Sequence, residues 1–277
     1  MSVSSAASAA GSRAPRSRRK SRSASSTLAR SISAGGSSGI GRACALALGA
    51  EGARVAIAGR RRERLDEVAA AIRKSGGDAL VLEGDVRDER TCARWVEETE
   101  QAFGPLSGLV NAAGVLGNGG VDTADVAEWD RIMDSNVRAT FLMTRAASDS
   151  LKRAKGSVVN LSSVASWRPY AGIAAYCVSK AAVDMFTRCA ALDLAPYGVR
   201  VNAVNPGVVV TELHTVTQAI ADYPAFLERS KGTHPIGRVG NVEEVAGLIL
   251  YLLSEDAGWV TGACMPIDGG RGLMSAR

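Results

Sequence analysis

Residues 25–42 read STLARSISAGGSSGIGRA, and the two halves of this stretch obey different rules. The second half, GGSSGIG, sets glycines at Gly35, Gly39 and Gly41, a G-x-x-x-G-x-G spacing that lets the backbone turn tightly and approach a pyrophosphate at a helix N-terminus. A plain glycine-rich turn has the same composition, so the loop must be read with its surroundings. The first half lacks the aliphatic side chains that a strand buried on both faces requires. The positions leading into the loop are Arg30, Ser31, Ile32, Ser33 and Ala34.

Downstream of the loop, helical and extended patterns alternate. IGRACALALGAEG predicts a helix stopped by Gly52, ARVAIAG a buried strand, and ERLDEVAAAIRKSGG a helix with Leu65, Val68, Ala69 and Ile72 on one stripe. The strand ALVLEGD follows, then a helix over 88–103 with Cys92, Trp95, Val96, Thr99 and Phe103 inward, and the strand LSGLVNAAG. Further on come a helix over 126–152, the strand GSVVNLSS, a helix over 174–195, the strand VRVNAVNPG, a helix over 241–253 and a last strand near 263–267. Continuous apolar strands separated by helices predict a parallel sheet covered on both faces. This is an α/β, doubly wound, Rossmann-type three-layer sandwich with a mainly seven-stranded parallel sheet, whose ligands lie beyond the carboxyl ends of the strands.

The chain has 277 residues, which suits one sizeable domain over 28–277, and a net charge of +5. Seven of its 33 Lys and Arg fall in residues 1–33, which hold no acid, leaving 26 against 28 Asp and Glu and a body near −2. That balance argues against a nucleic-acid surface. No charge-free apolar run reaches the length of a membrane span, so a soluble body with no membrane partner is expected. The five cysteines are scattered without metal spacing and are expected to be small buried apolar residues in a reducing compartment; with two histidines, no metal site is expected. Residues 1–27 are mostly Ser, Ala and Arg and are expected to be disordered.

Two further segments carry chemistry. After the second strand, Gly59 stands where an NAD site places an acidic residue for the ribose hydroxyl, and Arg60, Arg61 and Arg62 follow. Guanidinium forks at Arg60 and Arg61 suit a 2′-phosphate, so NADP is the expected cofactor over NAD, with Arg62 more simply a solvated helix start. In LSSVASWRPYAGIAAYCVSKAA, Tyr176 and Lys180 stand four apart on one helix face. A neighbouring ammonium favours the phenolate, making the phenol usable as an acid or base, and Ser163 lies thirteen residues before it at a strand end.

With GGSSGIG, Asp85 in GDV, NAAG at Asn111–Gly114, SNV at Asn136, Ser163, YCVSK, NPG at Asn205–Gly207 and the terminal IDGG in order, the chain resembles the classical short-chain dehydrogenase/reductase family from Gly35 to Gly270. The resemblance implies an NAD(P)-dependent oxidoreductase interconverting a ketone and a secondary alcohol. It makes Tyr176 the proton donor or acceptor, Lys180 the residue that lowers its pKa and bonds the nicotinamide ribose, Ser163 the holder of the substrate oxygen, and Asn136 the keeper of a water-linked proton relay. It places the cofactor on Gly35, Ser37, Ser38, Gly39, Ile40, Gly41, Arg60, Arg61, Asp85, Val86, Asn111, Ala112, Ala113, Gly114, Tyr176, Lys180, Pro206, Gly207, Val209 and Thr211. A homodimer or homotetramer through the two long helices bearing Asn136 and Tyr176 is implied, and a cytoplasmic location is expected, with organellar import if the N-terminus is a targeting peptide. Alternatives are a 3-oxoacyl-carrier-protein reductase and, from another class, a non-catalytic NADP-binding sensor.

Three departures from the family pattern stand out. Ser38 sits where NADP-preferring members often carry a basic residue, and NAAG replaces the commoner NNAG. The Arg30–Ala34 positions take the place of an aliphatic central strand, so that strand is expected to be distorted or poorly stabilised. A targeting peptide fits the acid-free Ser/Arg composition of residues 1–33 but, like a disordered tail, would normally precede an intact strand, so an altered reading frame or start site is the expectation, because composition and motif fail together and recover together at Ala34. Specificity is expected from VASWRPYAGIAA and from 212–238, where Trp167, Tyr170, Leu213 and Phe226 are candidates for an apolar pocket and His214 reads as an exposed loop residue.

Overall fold

The computed structural model describes residues 30–216, 220 and 222–273, and the tail expected over 1–27 lies outside the described residues. Seven strands form one sheet: β1 (Arg30–Ala34), β2 (Arg54–Gly59), β3 (Asp78–Glu83), β4 (Gly108–Asn111), β5 (Ser157–Leu161), β6 (Arg200–Pro206) and β7 (Cys264–Ile267). Their order is β3-β2-β1-β4-β5-β6-β7 and every pairing is parallel. The chain winds outward from β1 to β3, then returns to lay β4 on the other side of β1. A crevice opens at that reversal, above the carboxyl ends of β1 and β4.

Helices α1 (Gly39–Ala50), α2 (Arg62–Lys74) and α3 (Glu89–Phe103) link the first four strands. After β4 come α4 (Val126–Met133) and α5 (Ala139–Ala154), then α6 (Ala174–Leu194). Short α7 (Leu213–Val216) and α8 (Tyr223–Lys231) follow β6, and α9 (Val242–Leu253) precedes β7. Leu48, Ile72 and Ile249 pack α1, α2 and α9 on Val55, Ile57 and Val110. Trp95, Met143, Leu151 and Leu194 pack α3, α5 and α6 on Ile32, Leu109 and Val158 of the opposite face. Alternate residues of each strand thus feed two cores.

The helix expected over 126–152 is not uniform, because a π-helical turn at Asp134–Arg138 joins α4 to α5. Helices α7 and α8 lie in the stretch read only as a specificity segment. Cys44 and Cys92 are buried as expected, but Cys177 and Cys264 are half-buried and Cys189 is exposed on the outer face of α6.

The expectation of a distorted first strand is corrected. β1 pairs without interruption from Arg30 to Ala34 with β2 and from Ser31 to Ala34 with β4. Ile32 and Ala34 supply apolar contact on the α3/α5 face. Ser31 and Ser33 point to the other face, where the Ser33 hydroxyl donates to the Gly41 carbonyl at 2.9 Å. Arg30 occupies the strand's first position, its backbone N–H donating to Ser107 Oγ at 3.1 Å, so its charge stays at the amino edge of the sheet. The residual mismatch is local, since Ser31 Oγ and Arg30 Nε are buried without a partner.

Candidate active site

The glycine loop leaves β1 and enters α1 at Ser38, whose side chain makes no capping bond, and no acidic residue lies in the first turn. The first amide N–H groups of α1 are therefore uncommitted and carry the positive end of the helix dipole, a setting that accepts phosphate. Gly35, at φ +86°, packs so closely on the turn after β4 that an added Cβ would lie 2.7 Å from the Ala113 nitrogen. Above this loop runs a cavity of about 1080 Å³ that extends from Arg60 and Asp85 past Gly35 and Ala113 to Tyr176 and Phe226. Loop, dipole and cavity fit a bound dinucleotide with room for a small substrate.

Most residues assigned to the cofactor by resemblance line this cavity: Gly35, Ser37, Ser38, Gly39, Ile40, Arg60, Arg61, Asp85, Val86, Ala112, Ala113, Gly114, Pro206, Gly207, Val209 and Thr211. Two do not. Gly41 faces inward, where a Cβ would meet the Gly35 carbonyl at 2.4 Å, so it permits loop and helix to pack. The Asn111 amide donates to Thr144 Oγ1 and Asn160 Oδ1, both at 2.9 Å, tying β4 to α5 and β5.

At the far end, β5 delivers Ser163 and α6 delivers Tyr176 and Lys180 one turn apart to the same wall. Ser163 begins a short helical turn, its Oγ accepting from the Ala165 N–H at 3.1 Å. Its carbonyl accepts from Asn205, whose amide also donates to both oxygens of buried Asp184 at 3.0 Å. Burial pushes the Tyr176 phenol up to about 12, opposed by its hydrogen bond with Ser163. Burial likewise pulls the Lys180 ammonium down to about 8, while Asp184 works to raise it. Lys180 Nζ lies 5.6 Å from the centre of the Tyr176 ring and donates to the Leu161 carbonyl at 2.8 Å. In this geometry the ammonium donates to a carbonyl, and burial is the largest influence on the phenol.

Asn136 stands behind the cavity wall. Its Oδ1 accepts from the Val115 N–H at 2.8 Å, and its Nδ2 donates to the Val115 carbonyl and Ser179 Oγ, both at 3.0 Å. Asn136 lies within the π turn, buried between the segment after β4 and α6. Its amide is thereby committed to holding the backbone around Val115, with Ser135 and Val115 the neighbours that reach the cavity.

At the adenosine end, Arg87 grips Asp85 through Nε and Nη2, the closest approach being 2.6 Å, and holds the carboxyl below its ordinary range. Arg62 pairs with Asp66 on the outer face of α2. Arg61 donates to Glu212 at 3.0 Å, and Arg64 reaches the same carboxylate, so the segment after β6 is tied to α2 across the cleft. Sequence reading missed Glu212, because nothing local marks a contact between residues 151 positions apart.

The substrate-side wall includes Tyr170, Leu213 and Phe226, whereas Trp167 is exposed and packs near Gly272 outside the cavity. His214 is corrected as well. It lies in α7 with its ring 5.1 Å from Phe226 and 6.0 Å from Tyr223, and burial, then the nearby Arg271, lowers its pKa to about 4. Arg229 and Arg271 also line the cavity and carried no sequence signal.

A family model described as Enoyl-(Acyl carrier protein) reductase matches residues 34–271. 2-(S)-hydroxypropyl-CoM dehydrogenase 3 of Xanthobacter autotrophicus is 41% identical over 85% of this chain and 93% of its own length. Cyclopentanol dehydrogenase of Comamonas testosteroni is 38% identical over 85% of this chain and 94% of its own. A short-chain dehydrogenase/reductase of unknown function from Caenorhabditis elegans, solved with cofactor, superposes with a TM-score of 0.84 at 33% identity, covering 90% of this chain and 97% of that one. The chain belongs to the classical short-chain dehydrogenase/reductase family, and is an oxidoreductase that interconverts a secondary alcohol and a ketone with a nicotinamide cofactor.

Proposed function

We propose that Tyr176 is the acid/base of this reaction, that Ser163 holds the reacting oxygen, and that the preferred cofactor is NADP. The observation that carries the reading is the convergence of Ser163, Tyr176 and Lys180 on one wall of the cavity that starts at the glycine loop. When bound, the nicotinamide supplies or accepts the hydride, and the protein supplies position and charge. In reduction the Tyr176 hydroxyl donates its proton to the substrate oxygen while the Ser163 hydroxyl donates a hydrogen bond to the same atom. In oxidation the phenolate takes the proton back. Lys180 offers the cation that balances the phenolate once a ligand draws Nζ from the Leu161 carbonyl. Asn136 positions Val115 and Ser179, and through them the wall that faces the coenzyme.

Preference for NADP is supported by the end of β2, where Gly59 replaces a carboxylate and Arg60 and Arg61 border the cavity. Arg61 is shared with Glu212, so Arg60, which forms no ion pair among the described residues, is the first candidate for the 2′-phosphate. A homo-oligomer is supported by the exposed Val178, Met185 and Leu192 on the outer face of α6. Among the described residues, no helix is long and apolar enough to cross a membrane.

The test is a panel of secondary alcohols and ketones, each assayed with NADP(H) and NAD(H), on the protein and its Arg60→Ala variant. Turnover with a preference for NADP(H) that the variant loses by about tenfold is expected, the size of one charge-assisted contact. An unchanged ratio in Arg60→Ala would remove the assignment to that arginine. Binding of NADP without turnover of any member would support the sensor instead.

A further inference from the structure

The cavity is lined by two arginines that neither the reacting centre nor the coenzyme cleft employs, Arg271 in the turn after β7 and Arg229 near the end of α8. Arg271 is half-buried and fixed in place. Its Nε donates to the Tyr170 hydroxyl at 2.8 Å, its Nη1 donates to Thr233 Oγ1 at 3.0 Å, and its guanidinium lies 4.9 Å over the Tyr170 ring. These contacts leave the Nη2 amino group without a partner among the described residues. Neither arginine forms an ion pair with a carboxylate among the described residues. Asp268 is occupied by the Gly270 and Gly272 N–H groups at 3.0 and 2.6 Å, and Asp222 caps α8 through the Ala225 N–H at 2.9 Å. Arg229 is exposed at the rim and likewise makes no ion pair among the described residues.

A guanidinium held by two hydrogen bonds against the Tyr170 ring, without an ion pair among the described residues and open to a cavity, is arranged to receive an anion. We propose that Arg271, assisted by Arg229, forms an anion subsite, and that the substrate is a secondary alcohol or ketone carrying a carboxylate at a distance from the reacting carbon. The inference rests on the assignment of this cavity to alcohol–ketone chemistry and narrows its substrate class. Nearby His214, whose pKa burial and Arg271 lower to about 4, adds no positive charge of its own near neutral pH, so the charge of the subsite is that of the arginines. The walls between the two ends, Tyr170, Ile173, Leu213 and Phe226, suit an apolar spacer linking the reacting carbon to the acid.

The probes are levulinate and its longer straight-chain homologues, each paired with its methyl ester, and the protein is tested beside Arg271→Gln and the surface variant Arg229→Gln. For the acid of best length, kcat/KM about tenfold or more above its ester is expected. Arg271→Gln should raise KM for that acid by about 10–100-fold with kcat nearly unchanged, and raise KM for the ester, which reads the loss of the Tyr170 contact alone, by no more than about threefold. Arg229→Gln, which carries little folding risk, should raise the same KM by about threefold at low salt and less at high salt. Calorimetry of the acids against the enzyme loaded with oxidised cofactor reads the subsite apart from turnover. Equal use of acids and esters by all three proteins would overturn the subsite and leave the oxidoreductase reading standing. Arg271-dependent binding of the acid without turnover of acid or ester would keep the subsite and defeat the reaction assigned to the cavity. No calorimetric binding of any acid would overturn the subsite. Preference for a 3-oxoacyl chain on its carrier protein over every free acid, lost in Arg229→Gln, would assign the arginines to carrier docking and overturn it as well.

Discussion

Tyr176 and Lys180 are both buried, and burial disfavours the charged form of each, so it drives them apart on the pH scale, raising the phenol and lowering the ammonium. The hydroxyl stays protonated to about pH 12 and the ammonium loses its proton near 8. For ketone reduction the proton donor is therefore always loaded, and the group that titrates in the working range is Lys180. Above its pKa the amine is neutral and no longer balances the charge left on Tyr176. The kcat/KM for reduction is expected to fall as pH rises through about 8, and a pH–rate profile flat to pH 10 would show that Lys180 does not titrate there. The Tyr176–Lys180 spacing was legible in sequence because i,i+4 geometry is local. The direction of the Lys180 side chain was not, because Leu161 reaches it from a different strand.

At the scale of the element, β1 shows how neighbours override composition. Five residues with two serines and an arginine make a poor isolated strand, yet β2 and β4 supply a backbone partner on each side. The fold pattern was readable from the strands around β1, and its own formation was not, since pairing partners are non-local. The two serines separate in consequence. Ser31→Ala removes a buried hydroxyl without a partner and is expected to stabilise the protein by about 1 kcal/mol, whereas Ser33→Ala breaks the bond to Gly41 and is expected to cost about 1 kcal/mol. Thermal unfolding should thus move the two midpoints in opposite directions by about 2–4 °C each, and a shift of the same sign in both would contradict the partner assignment. The π turn at Asp134–Arg138 escaped sequence reading because its residues keep a helical pattern, with Asn136 on the same buried face as Ile132 and Thr140.

At the scale of the whole molecule, α6 serves two surfaces at once. Its inner face carries Tyr176, Lys180, Val183 and Thr187, and its outer face carries Val178, Met185 and Leu192, seven residues apart and 44%, 57% and 78% exposed. An apolar stripe at that spacing on one helix is suited to a second copy of the same helix. Met185→Glu with Leu192→Glu is expected to convert an oligomer to a folded monomer in analytical ultracentrifugation, and an unchanged mass would place the contact elsewhere. The substrate-side wall is the least local part of the molecule, joining α7, α8 and the turn after β7. Tyr170, Leu213 and Phe226 were recognised as candidates there, while Arg229 and Arg271 emerged only when the fold brought α8 and the turn after β7 to one wall.

The most direct measurement compares the rate of nicotinamide absorbance change for the protein and for Tyr176→Phe, with one accepted ketone and cofactor binding titrated in both. Loss of the phenolic proton should lower kcat by about 10²–10⁴-fold while cofactor affinity stays within about threefold. A Tyr176→Phe enzyme that retains its rate would show that the proton comes from another group and that the Ser163–Tyr176–Lys180 wall is not the reacting centre.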